Sequence, residues 1–305
     1  MKIKEVYLDW KKSKELYVKR SSMSAYLLLC NNHIVPLFGE LESVTEKIVQ
    51  DFVLLKIKEG MGHKTIKDIL IVLKMILKHG KKYRMIEYEP YDILFPADHS
   101  NHQTQVLTVT DFKKLMTHVK ENFSFKSMGI LLTMSTGLRI GEVCALKWED
   151  INIENGTISI SKTLQRIYCE DANGKMKTEI VIDSAKTKSS QREIPLSSDL
   201  MKIMKPLLKL VRPEYYLLTC SVKPTEPRTY RAFYKELMAS IDLPLIKFHG
   251  LRHTFASRMI GAKVDVKTVS VILGHANVST TFNLYVHPNT EDKKSAISQM
   301  FKAMR

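Results

Sequence analysis

The 305-residue chain is predicted to be mainly α-helical, with a small antiparallel β-sheet in its second half and two domains. Three observations carry this prediction. Apolar residues recur at helical spacing within the first hundred positions. From Glu89 to Thr108 that periodicity dissolves into Pro90, Pro96, Asp98, Ser100, Asn101, Gln103 and Gln105, the composition of a linker. After Trp148 the apolar residues alternate with polar ones, as in half-buried strands. The boundaries are therefore placed at 1–97 for a helical domain, 98–106 for the linker and 107–305 for a mixed domain; the length accommodates both.

In the first domain, Ser43 and Glu46 have capping-box spacing ahead of Ile48, Phe52, Val53 and Leu55–Ile57. A second helix is expected over about Thr65–Lys78, with Ile66, Ile69, Leu70, Leu73, Ile76 and Leu77 on one face and Gly80 as its C-cap. Lys64, Lys67, Lys74, Lys78, Lys81 and Lys82 line its other faces, which suits either a solvated surface or a DNA backbone. In the second domain Thr110 is expected to cap a helix carrying Phe112, Leu115, Met116 and Val119, followed by an apolar helix through Ile130–Met134. Gly137 ends that helix and Arg139 begins the next, where Val143 and Leu146 face the core and Arg139 faces away. Ile151 and Ile153, an Asn155-Gly156 turn, and Ile158 and Ile160 make a hairpin. A third strand spans Thr178–Ile182, and a polar turn from Ala185 to Arg192 leads into Glu193-Ile194-Pro195-Leu196. The rest reads as helix.

The 47 basic and 32 acidic residues give a formal charge of +15, spread along the whole chain. A surplus of this size favours a polyanionic partner, nucleic acid ahead of a membrane surface. Cys30, Cys144, Cys169 and Cys220 have neither CxxC spacing nor zinc-site histidines, so free thiols in a reducing compartment are expected. Neither a signal peptide nor an apolar run of roughly 20 residues is present, which points to a cytoplasmic protein. There is no carboxylate pair, HExxH or phosphate-binding glycine loop, and no cofactor is expected.

The candidate chemistry lies in His249-Gly250-Leu251-Arg252-His253, Leu273-Gly274-His275 and Tyr285. Cleaving a phosphodiester with a protein nucleophile requires deprotonating that nucleophile, matching the charge on the phosphorane oxygens and protonating the departing oxygen. A tyrosine with a pKa near ~10 needs neighbouring cations. Guanidinium groups suit phosphate because they are planar, permanently charged and bidentate. Each residue alone has a plainer explanation. Arg139 and Glu142 fit an i, i+3 ion pair, Lys186 a solvated turn, His275 a C-cap composition and Tyr285 simple packing. Their combination and order outweigh those readings.

From roughly His33 to His287 the chain resembles the tyrosine recombinase (phage integrase) family. Thr136-Gly137-Leu138-Arg139-Ile140-Gly141-Glu142 resembles its first arginine motif, which makes Arg139 a phosphate ligand and Glu142 its support. Lys186-Thr187 followed by Arg192-Glu193-Ile194-Pro195-Leu196 is similar to the hairpin bearing the catalytic lysine, assigned to Lys186 rather than Lys188. His249 and Arg252 match HxxR, Leu273-Gly274-His275 the following box, and Tyr285 the nucleophile. The interval of ten from His275 to Tyr285 is one longer than in Xer-type members and resembles integrases of conjugative transposons and some phages. His33–Gly39 resembles the entry to the helical core-binding domain. With about 30 residues before it, a separate arm-site domain is not expected.

The resemblance implies a core-site DNA-binding domain, an α+β catalytic domain, and integration or excision of a mobile element through a 3′-phosphotyrosyl bond. In it Arg139, Arg252 and His275 bind the phosphate, Lys186 protonates the 5′ oxygen and His249 handles the tyrosine proton. His253, about 100° round the helix from Arg252, is read as structural. The implied partners are double-stranded DNA with core sites, a homo-tetramer on two duplexes, and accessory DNA-bending or directionality factors at the nucleoid. Ile297, Met300, Phe301 and Met304 give the tail an apolar face, whose spacing fits docking in cis or on a neighbour. A type IB topoisomerase-like nicking enzyme and a non-catalytic DNA-binding protein of the same fold are the alternatives.

Overall fold

A computed structural model describes residues 1–97, 105–171, 174–184 and 190–285, with Lys294, Ile297, Ser298, Met300 and Phe301 of the tail. Lys186 and Lys188, and Asp98–Thr104 of the expected linker, lie outside the described residues. The chain divides into two compact units, Met1–His102 with Arg166–Glu179, and Gln103–Gln165 with Ile180–Arg305.

The first unit is helical: α1 Ile3–Glu15, α2 Arg20–Leu29, a π-turn at Cys30–Ile34, α3 Val35–Phe38, α4 Glu46–Lys58 and α5 His63–Lys82. Its core gathers Val6 and Trp10 of α1, Val49, Phe52 and Val53 of α4, and Ile66, Ile69, Leu73, Ile76 and Leu77 of α5. The lysines of α5 are all exposed. Three details differ from the sequence reading. Thr45, not Ser43, caps α4 through a bond from Ile48 N to its Oγ1 (3.4 Å), while Val44 packs on the core ahead of the helix. Gly80 is inside α5 rather than at its end, and close packing calls for glycine there: a Cβ would come within 2.7 Å of Ile86 and 2.8 Å of Val6. Aperiodic residues after Tyr88 are strapped onto the unit: Tyr91, Ile93 and Phe95 pack on its core, and Gln50 exchanges two 3.0 Å bonds with the Leu94 backbone. Residues 166–179 belong here as well. Tyr168 N donates to Ser24 Oγ (2.6 Å), Lys11 pairs with Glu170, and Arg20 with Glu179.

The second unit opens with α6 Val109–Glu121, α7 Phe125–Thr136 and α8 Ile140–Ala145. Thr108 rather than Thr110 caps α6: its Oγ1 accepts from Asp111 N (3.1 Å) and donates to Asp111 Oδ2 (2.7 Å). Helix α7 is buried on nearly every side and packs against α11. The strands β1 Ile151–Asn152 and β2 Thr157–Ile160 form the expected hairpin. The strands β3 Lys162–Glu170 and β4 Met176–Ser184 form a separate two-stranded sheet, and β5 Arg192–Pro195 completes the first, in the order β1-β2-β5. Both pairings in that sheet are antiparallel, with Ile158 opposite Ile151 and Ile194. Strand β3 shows no clear apolar alternation in sequence, because its long polar side chains mask it. Helices α9 Ser198–Leu208, α10 Pro227–Ser240, α11 Phe248–Gly261, α12 Val266–Leu273 and α13 Val278–Tyr285 follow. Among the described residues no helix is long and apolar enough to cross a membrane.

Candidate active site

Glu142 is the hub of one side of the site. It is 4% exposed, and its carboxylate accepts four bonds from two arginines. Oε2 takes Arg139 N (2.9 Å) and Arg192 Nη2 (3.0 Å); Oε1 takes Arg139 Nη1 (2.8 Å) and Arg192 Nη1 (3.1 Å). Those are all the lone-pair positions a carboxylate has. Burial alone would raise its pKa, but the hydrogen bonds and charge of Arg192, then Arg139, hold it below the ordinary carboxylate value. Arg139 stands at the N-cap of α8 because Gly137 ends α7 in a left-handed turn (φ 69°). A Cβ at Gly137 would also lie 2.6 Å from Leu273 and 2.7 Å from Phe255.

The other side is the C-terminal end of α12, whose last carbonyls lack intrahelical donors and carry the negative end of the helix dipole. Three consecutive carbonyls there each receive a different arginine. Arg192 Nε donates to Ile272 O (2.6 Å), Arg252 Nη2 to Leu273 O (2.8 Å) and Arg139 Nη2 to Gly274 O (3.3 Å). Arg252, 1% exposed, also donates from Nη1 to Gly137 O (2.9 Å). Burial, then the Arg139 charge, pulls its pKa down to about 9, which leaves it protonated at neutral pH.

Three histidines complete the cluster. His275 Nδ1 and the buried Thr281 hydroxyl are 2.7 Å apart, which fixes the ring. Burial, then the charges of Arg252 and Arg139, lowers the His275 pKa to about 4. His249 keeps an exposed edge, yet the protein packed around it, followed by His253, Arg252 and Arg139, lowers its pKa to about 4 as well. Tyr285, at the end of α13, is half-buried, and its Oη lies 2.5 Å from His253 Nδ1. Burial raises its pKa while Arg252 and Arg139 oppose that rise. The whole set concentrates positive charge beside a phenol, an arrangement suited to an anionic electrophile.

Arg139, Glu142, His249, Arg252, His275 and Tyr285 thus gather from the N-cap and first turn of α8, from α11, from the turn after α12 and from the end of α13. Two members were missed from sequence. Arg192 shares the inward face of β5 with Ile194, since residues two apart in a strand point the same way. His253 follows His249 by four residues, the spacing that stacks side chains on one helix face, and their ring centroids are 4.6 Å apart. Against Arg252 alone, His253 is about 100° round the helix, which conceals this pairing.

The family model described as the phage integrase family matches residues 105–292. A "Tyrosine recombinase XerC-like" protein of Caldanaerobacter subterraneus is 28% identical over 264 residues, covering 80% of this chain and 67% of its own length. The "Transposase from transposon Tn916" of Enterococcus faecalis is 26% identical, covering 86% and 68%. Among solved structures, the Tn1549 transposon integrase in complex with a circular intermediate DNA superposes with a TM-score of 0.78. It is 21% identical and covers 98% of this chain and 99% of its own. A lambda integrase tetramer bound to a Holliday junction gives 0.65 at 18% identity, covering 92% and 76%.

Proposed function

This chain belongs to the phage integrase family, and from that premise we propose how its residues divide the work of strand exchange. The protein is a site-specific tyrosine recombinase of the mobile-element integrase type. It cleaves and rejoins DNA through a 3′-phosphotyrosyl intermediate, and DNA is its partner.

The observation that carries the residue assignment is Tyr285 Oη lying 2.5 Å from Nδ1 of His253, next in the chain to the buried Arg252, whose guanidinium shares the end of α12 with that of Arg139. Tyr285 attacks the scissile phosphate and frees a 5′ hydroxyl. Arg252 has spent two N–H groups on Gly137 and Leu273, so its other donors, with Arg139, meet the non-bridging oxygens. His275, fixed through Nδ1, presents Nε2 as a further donor. Glu142 holds Arg139 at the phosphate. Lys186 protonates the 5′ oxygen, and the resemblance assigns the nucleophile's proton to His249. Because the phosphoester is kept in the tyrosyl link, a 5′ hydroxyl from a second duplex reverses the step without an external energy source.

Residues 1–97 form the core-site DNA-binding domain, 98–106 the linker and 107–305 the catalytic domain with its tail. The exposed lysines of α5 support the first assignment. The exposed Ile297, Met300 and Phe301 support a tail that docks on a neighbour in a tetramer on two duplexes, aided by accessory DNA-bending or directionality factors. Such a protein works in the cytoplasm at the nucleoid. Incubation with DNA carrying two copies of the element's joined ends tests the reading: exchanged products are expected. Relaxation of supercoils without exchange, or binding without cleavage, would overturn it.

A further inference from the structure

Tyr285 Oη and His253 Nδ1 are 2.5 Å apart, and their ring centroids 5.5 Å. The turn of α11 that carries His253 is pinned on both sides of it. Arg252 is tied to two carbonyls. Thr254 Oγ1 donates to Gly250 O (2.7 Å) and accepts from Leu107 N (2.9 Å). A side chain held by its neighbours in this way is preorganised for one partner. Burial and then Arg252 lower the His253 pKa, and burial raises that of Tyr285, so both are neutral near pH 7. Of two neutral groups in contact, the phenol is the stronger acid. The hydrogen bond therefore runs from Tyr285 O–H to Nδ1, with the imidazole proton on Nε2. His249, by contrast, meets His253 edge to face (89°).

We propose that His253 is a catalytic residue that takes the Tyr285 phenolic proton as the O–P bond forms, in place of His249. This rests on Tyr285 being the nucleophile. As the Oη–P bond forms and the P–O5′ bond breaks, the phenolic proton passes to Nδ1. A separate acid, Lys186, gives its proton to the departing 5′ oxygen. No electrons are gained or lost. The imidazolium next to Arg252 is offset by the negative charge of the bound phosphate. In rejoining, the same imidazolium returns its proton to the leaving tyrosine oxygen, so His253 serves both directions.

Single-turnover adduct formation on a nicked suicide duplex tests this, with two scissile linkages: the natural one and a 5′-bridging phosphorothiolate, whose thiolate departs without a proton. The variants are His253→Gln, which keeps a hydrogen bond but is no base, His253→Ala, His249→Ala and Lys186→Ala. Both His253 variants are expected to form adduct about 10²–10⁴-fold more slowly, with unchanged DNA affinity and no recovery on the phosphorothiolate. Lys186→Ala is expected to recover. Wild-type rates in His253→Gln, recovery of that variant on the phosphorothiolate, or a larger defect in His249→Ala would overturn the assignment. Adduct formation by Tyr285→Phe would instead sink the parent reading, so the two failures are distinguishable.

Discussion

At the scale of single residues, the two arginines proposed to bind the phosphate are held differently, and their substitution should separate accordingly. Arg252 is buried and donates to two carbonyls, Gly137 O and Leu273 O; Arg139 is partly exposed and shares Glu142 with Arg192. Arg139→Ala and Arg252→Ala should both bind DNA and cleave it about 10²–10³-fold more slowly, the loss expected for a donor to a developing oxyanion. Arg252→Ala should also lose about 1–3 kcal/mol for each orphaned carbonyl, seen in urea unfolding, and Arg139→Ala clearly less. A second consequence concerns acid. His249 and His275 have folded pKa values of about 4 against 6.5 for the free side chain. Between those values the unfolded chain binds more protons than the folded one, so stability rises with pH across this window. The Tm should fall as the pH is lowered from about 6.5 to about 4, and a His275→Gln variant should fall less steeply. At this scale the sequence was informative about residue types but not about neighbours. Arg139, Arg252, His275 and Tyr285 stood out through motif order. The Arg192 bonds to Glu142 and the His253 bond to Tyr285 depend on tertiary contact, although strand alternation and i, i+4 spacing hinted at each.

At the scale of elements, the end of α12 and the start of α8 act as one clamp. Three arginines from α8, β5 and α11 converge on three successive carbonyls, and a buried carboxylate joins two of them. Arg192→Ala removes one partner of a doubly bonded, buried ion pair and should cost about 3–5 kcal/mol in chemical denaturation. Arg192→Lys should restore little, because a point charge cannot span both carboxylate oxygens and Ile272 O. A loss under 1 kcal/mol in Arg192→Ala would contradict this picture. Elements with a strong apolar stripe, such as α5 and α6, were legible because burial dictates their periodicity. Their ends were less so: Thr45 and Thr108 compete with Ser43 and Thr110 as caps of near-equal chemistry, and only the hydrogen bonds decide. Helices α1 and α2 fall within the stretch read as helical, but their mixed polarity gave them no bounds of their own, and β4 was seen without β3, the strand it pairs with.

At the scale of the whole molecule, the +15 charge is the property that governs encounter with DNA. Affinity should fall linearly on a log–log plot against salt, as neutralised phosphates release counterions. Replacing exposed α5 lysines such as Lys74 or Lys78 with Gln should lower the slope by about 1 each, weakening binding to specific and random duplexes alike. An unchanged slope would remove α5 from the DNA interface. The central claim is narrower: one tyrosine near the end of the chain becomes covalently joined to a 3′ phosphate. Its most direct test is mass spectrometry of the protein trapped on a nicked suicide duplex. The account predicts a nucleotide-bearing peptide modified at Tyr285 and none from Tyr285→Phe; a modification at another residue, or as much adduct from Tyr285→Phe, would contradict it.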